Sequence, residues 1–170
     1  ESLITPDAIT AEIIGSRNNN YKENFELAKT QIALVLGVAH QQFLSGRAPQ
    51  QIIHDVAVAL HKIRQKNDLY VWVDLIPIIQ DHVVSEYFLQ DPFTYWSYEK
   101  PRGYSGDAQL LDFIYGHPSV QHRIEAASPI GIALYEYTKD ASSSVAVRER
   151  RDLLTRYVDD LAARHGSGME

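Results

Sequence analysis

The sequence predicts an all-α protein, a bundle of about nine helices of unequal length. Three observations lead there. Apolar residues recur at steps of three and four, proline follows a cap-forming or turn residue at several helix starts, and glycine or asparagine closes most of the periodic stretches.

Taken in order, Thr5-Pro6 places a cap before proline at the first helical position and opens a short first helix, which Asn18-Asn19-Asn20 turns out of. From Tyr21 the set Phe25, Ala28, Ile32, Val35, Leu36, Ala39 and Phe43 forms one stripe of a long helix that ends near Ser45-Gly46. After Pro49 a second stripe, Ile52, Ile53, Val56, Leu60 and Ile63, makes the next helix. The short connection makes the two antiparallel. Asn67-Asp68 caps residues 69–79, where the β-branched Val71, Val73 and Ile76 suit a strand as well, but the segment reads as helix. Pro77 kinks it, and Ile78, His82, Val83 and Tyr87 carry the period onward.

Asp91-Pro92 starts a short turn before an aromatic patch, Phe93, Tyr95, Trp96 and Tyr98, and a loop over residues 99–106. Asp107 is the N-cap of a helix through Leu110, Leu111, Ile114 and Tyr115, which Gly116-His117-Pro118 ends as it starts another. Ser128-Pro129 opens residues 130–137. Ser142, Ser143 and Ser144 lead into a last long helix bearing Val147, Leu154, Tyr157, Val158 and Leu161 and running out at His165-Gly166. The expected organisation is one helical domain over residues 1–165, with 166–170 a linker or truncated end.

Composition narrows the function. The 170 residues are 45% hydrophobic and 22% charged, which excludes a disordered or fibrous class. Without a cysteine there is no disulfide framework, thiolate zinc site or cysteine nucleophile. A net charge of -6 argues against nucleic acid as a partner. No apolar run reaches the roughly 20 residues that a membrane span needs, and the start shows no signal peptide. The expected location is cytoplasmic.

Motifs for chemistry are few. His54 and His61 lie two turns apart on one helix, too far for one coordination sphere. His40, His54-Asp55 and the distant Asp140 follow the ligand order of HD-type metal phosphohydrolases, and Asp81-His82 is a second His-Asp pair in reverse order. No metal site is assigned. Neither a G-x-S-x-G elbow nor a phosphate-binding glycine motif occurs, so no catalytic residue is assigned. The glycines around Tyr104-Ser105 let the backbone approach another molecule, and the Asp107 carboxylate at the helix start favours an ammonium, sulfonium or hydroxyl over a phosphate. Arg148 and Arg151 share a helix face and can fork onto a carboxylate, with Arg150 beside them. Trp96, Tyr98, Tyr104, Tyr115 and Tyr135 can wall an apolar pocket.

The run Lys100-Pro101-Arg102-Gly103-Tyr104-Ser105-Gly106-Asp107, followed by Leu110-Leu111-Asp112-Phe113-Ile114-Tyr115, resembles the P-K/R-G-Y-x-G-D…IY signature of a bacterial family of class I S-adenosylmethionine-dependent methyltransferases. That family includes enzymes linked to 3-hydroxypalmitate methyl ester signals. Ser128-Pro129-Ile130-Gly131 and Ala146-Val147-Arg148-Glu149-Arg150-Arg151 are similar to its stretch before the first Rossmann strand, and the likeness is clearest over residues 101–161. It implies a helical substrate-binding or lid part whose Rossmann-type domain, absent from this chain, holds most of the S-adenosylmethionine. It also implies that Tyr104, Asp107, Arg148 and Arg151 face the cofactor, and Gly103, Gly106 and Arg150 the substrate. Trp96, Tyr98, Tyr115 and Tyr135 join the substrate side as the pocket wall. The expected partners are a small organic substrate, the Rossmann domain or a chain supplying it, and a second copy in a homodimer. A noncatalytic dimerisation or ligand-sensing module and the HD-type phosphohydrolase are the alternatives.

Overall fold

The structure is a computed structural model that describes residues 6–104 and 107–166, with side chains described from Asn20 to His165 outside that gap. Among these residues it is all helical, with nine α-helices, one 3-10 turn and no strand. The chain forms two compact units, Glu1–Ser85 and Glu86–Glu170. No described helix is long and apolar enough to cross a membrane.

The first unit contains α1 (Pro6–Leu44), α2 (Pro49–Lys66) and α3 (Leu69–Gln80). Here α1 departs from the expected short helix and turn, because the backbone stays helical through Asn18, Asn19 and Asn20. Asparagine costs a helix only about 0.7 kcal/mol relative to alanine, too little to stop one that no proline interrupts. The Thr5 cap lies outside the described residues. The helix does end where expected, with Gly46 in the left-handed region at φ 77°.

The buried stripe Ala28, Ile32, Leu36, Ala39 and Phe43 packs α1 against Ile52, Val56 and Ile63 of α2 and against Val71 and Leu75 of α3. Tyr21 adds a hydroxyl bond to Asp74 and stacks on Tyr70 at 5.6 Å.

Two expectations around α3 are corrected. Asp68 occupies the N-cap position but its carboxylate makes no cap bond, since it accepts from the Tyr70 hydroxyl at 2.9 Å. The helical period does not continue past Gln80 either. The His82 ring accepts from Val84 N at 3.1 Å and the Ser85 hydroxyl donates to Ile79 O at 2.9 Å, taking up backbone groups that a longer helix would use itself. Only α4 (Ser85–Phe88) follows.

The second unit is built from α5 (Pro92–Glu99), α6 (Ala108–Tyr115), a 3-10 turn (Pro118–Val120), α7 (Gln121–Glu125), α8 (Pro129–Thr138) and α9 (Ser142–Gly166). Its start signals act as local chemistry dictates. Asp91 accepts from Phe93 N at 2.9 Å, Asp107 from Gln109 N at 2.6 Å and Ser128 from Gly131 N at 3.0 Å. The segment after Asp91-Pro92, expected as a short turn, is the helix α5 and carries the aromatic patch.

Phe113, Val120 and Tyr135 form the core, with Phe93, Trp96 and Ile124 packed around them. The buried Asp91 also accepts from the hydroxyls of Thr94 and Thr138, at 2.6 and 2.9 Å, which fastens α5 to α8. Gly131 lets α8 come close, because a Cβ there would lie 2.1 Å from the carbonyl oxygen of Gln90.

Candidate functional site

The residues expected to face cofactor or substrate all belong to the second unit, and most of them fall into two groups. The first begins where α5 stops. Lys100 adopts the left-handed conformation at φ 46°, its N–H bonding to Trp96 O at 3.1 Å, and Gly103 does so at φ 79° with its N–H on Lys100 O at 2.7 Å. This tight return brings Arg102 beside the N-cap of α6.

There the Asp107 carboxylate is only 2% exposed. Its Oδ1 accepts from Gln109 N and lies 3.7 Å from the Arg102 guanidinium, while Oδ2 accepts from Trp96 Nε1 at 3.3 Å. Arg123 covers the Trp96 ring, 4.8 Å from its centroid. Asp107 is thus a joint that ties loop, α5 and α6 together. Tyr98 and Tyr104 are half exposed on the surface nearby, and Gly106 lies outside the described residues.

The second group lies along α6 and α9. A groove of about 410 Å³ is lined by Tyr115, Arg150, Arg151, Leu154 and Val158, with Thr155 and Asp159 completing it. Arg151 stacks on Tyr115 at 4.9 Å and pairs with Asp152 at 2.7 Å. Its lining combines apolar side chains with two arginines and one aspartate, and the arginines suit the carboxylate end of an amphiphile.

Two residues differ from their expected surroundings. Tyr135 is 4% exposed and packs edge-on against Phe113, and its hydroxyl donates to Phe113 O at 2.7 Å. Burial, and after it the charge of Asp91, pushes its pKa up. It belongs to the core and does not wall an open pocket, because the bulky ring fills the space behind Phe113.

Arg148 donates to Ile114 O at 3.2 Å and to Lys139 O, and pairs with Asp140 at 2.9 Å. It caps the last carbonyls of α6 and α8. Arg148 and Arg151 therefore serve different partners and do not form a shared fork.

Sequence reading did not anticipate the Arg148 clamp, the Arg123–Trp96 stack or the burial of Asp91. Only the start signal at Asp91-Pro92 hinted at the last.

No group of three or more His, Asp or Glu side chains among the described residues is placed to hold a metal ion. Asp55 and Asp140, both needed by the HD-type pattern, are paired with Arg47 at 3.0 Å and with Arg148. Compared with known proteins, the chain matches no family model, no curated protein sequence and no solved structure.

Proposed function

We propose that this chain is the helical substrate-recognition and lid part of an S-adenosylmethionine-dependent methyltransferase, acting in the cytoplasm on a small or medium organic acceptor. One observation supports the reading above the others. In the described part of the signature run, Lys100 and Gly103 are left-handed and buried Asp107 is fastened to Trp96 and Arg102. Such fastening suits a surface that positions an acceptor and excludes water.

The fit to the cofactor itself is poor within this chain. Both Asp107 oxygens and the Arg148 guanidinium already have internal partners, and no buried side-chain N or O among the described residues lacks one. In this reading Asp107 and Arg148 are positioning residues. Tyr98, Tyr104, Tyr115 and Arg150 face the acceptor, and a Rossmann-type domain or partner chain holds the S-adenosylmethionine. The methyl donor is that cofactor's contribution when bound, and the helices supply orientation and shielding.

The test is the parent coding sequence past Glu170. The reading expects a strand and a glycine-rich turn within roughly the next 30 residues. A stop codon there, with no associated chain that carries such a turn, would refute it.

A further inference from the structure

Two histidines take the place of an asparagine at the start of a helical turn. The ring of His82 accepts from Val84 N at 3.1 Å just before α4, and that of His117 accepts from Ser119 N at 3.2 Å at the 3-10 turn, each through Nδ1. Such a bond needs a bare Nδ1, because a protonated one carries a hydrogen and becomes a donor. Asparagine closes the same turn without that condition.

The two differ in what a proton meets. At His117 the Ser119 hydroxyl lies 2.9 Å from Nδ1 and donates onward to Asp112 at 2.8 Å, so a hydrogen on Nδ1 finds an acceptor backed by a carboxylate. His82 has no such outlet. The titratable group that acts on it from a packed helix is His40 of α1, a like charge when both are protonated, and burial and then His40 push the His82 pKa down.

The carboxylates of the first unit answer other groups or lie away from it. Asp55 pairs with Arg47, while Asp68 and Asp74 accept from the hydroxyls of Tyr70 and Tyr21. Glu23 and Glu26 lie roughly four turns or more before His40 along α1. Asp81 and Glu86, near His82 in the chain, are exposed and make no ion pair with it.

Val84 is fully buried, and the Ser85 hydroxyl bonds back to Ile79 O at 2.9 Å, so residues 82–85 close one turn at the end of the first unit. Taking the acceptor from Val84 N leaves a buried N–H without a partner. We propose that His82 is an acid-sensitive latch, in which protonation of Nδ1 breaks the bond to Val84 N, opens residues 82–85 and frees Val84 from its buried place. The folded turn binds the proton less tightly than the unfolded chain does. Its stability is therefore full above the ordinary histidine value and is lost as pH falls from there through the folded one.

Nuclear magnetic resonance on the 170-residue chain tests it, following the His82 ring and the Val84 amide from about pH 8 to about pH 5. The ring is expected to titrate below about 6.5. Exchange protection of the Val84 amide, corrected for the intrinsic pH dependence of exchange, is expected to fall at least about fivefold over the same range. In His82→Asn, whose side-chain oxygen accepts the same bond and gains no proton, protection is expected to stay level. A ring that titrates at or above the ordinary histidine value overturns the proposal. So does a Val84 amide whose protection stays level in the unaltered chain, or falls equally in His82→Asn. The first two readings come from the unaltered chain and stand even where the variant fails to fold.

Discussion

Asp107 and Asp91 are both N-cap aspartates and both buried, yet they place different demands on the protein. Asp107 answers a backbone N–H, an indole and a guanidinium, so Asp107→Ala is expected to lower unfolding stability by roughly 1–3 kcal/mol, read by urea denaturation. Asp107→Asn keeps an acceptor for Gln109 N and is expected to lose less.

For Asp91, burial raises the pKa, and the bonds from Thr94, Thr138 and the backbone N–H groups of Phe93 and Thr94 only partly oppose it. The folded state then holds the proton more tightly than the unfolded state does. The contribution to stability is full below the unfolded value and is lost as pH rises through the folded one. Asp91→Asn should therefore gain on the unaltered chain as pH increases across that window. Parallel stability curves for the two proteins would contradict it.

Tyr98 and Tyr104 are exposed, so their change to alanine should leave stability within about 0.5 kcal/mol. In the proposed methyltransferase the same changes are expected to raise the acceptor KM several-fold. Unaltered kinetics in both variants would remove these two tyrosines from the acceptor surface.

At this scale the caps at Asp107 and Ser128 were legible, because a cap joins neighbours in sequence, whereas Asp68 turns to Tyr70 instead. Arg148 was not legible as a clamp, because its carbonyl partners Ile114 and Lys139 lie 34 and 9 residues away.

Among the elements, the close approach of α8 to the chain before α5 depends on the missing side chain at Gly131. Gly131→Ala would drive a methyl group into Gln90 O, and the expected cost is about 1–3 kcal/mol, visible as a lower melting temperature. An unchanged melting temperature would mean that α8 does not approach so closely.

Most helix starts and stops could be read from the sequence, because Pro92, Gly116, Pro118 and Pro129 act on their own backbones. The run of three asparagines misled for the opposite reason. It lowers helix propensity without forbidding the helix, and α1 passes through it. Beyond α3 the apolar period was real but was overruled by His82 and Ser85, whose side chains bind the backbone locally.

For the whole molecule, the helical class was legible because amphipathic stripes recur along the chain. The division at Ser85 was not, since no glycine- or proline-rich linker marks it. The candidate site was partly legible. The signature loop and α9 were singled out from their residues alone, and which of their side chains remain open to a ligand depends on packing. Tyr135 and Asp107 turn inward, while Tyr104 and Arg150 stay outside.

The central claim is that these helices serve methyl transfer. Its most direct measurement is transfer of a labelled methyl group from S-adenosylmethionine by the parent protein to small acceptors that carry a carboxylate or hydroxyl. The account predicts label in an acceptor product and free S-adenosylhomocysteine in equal amount. Neither product formed, together with no binding of S-adenosylmethionine by the parent protein, would contradict it.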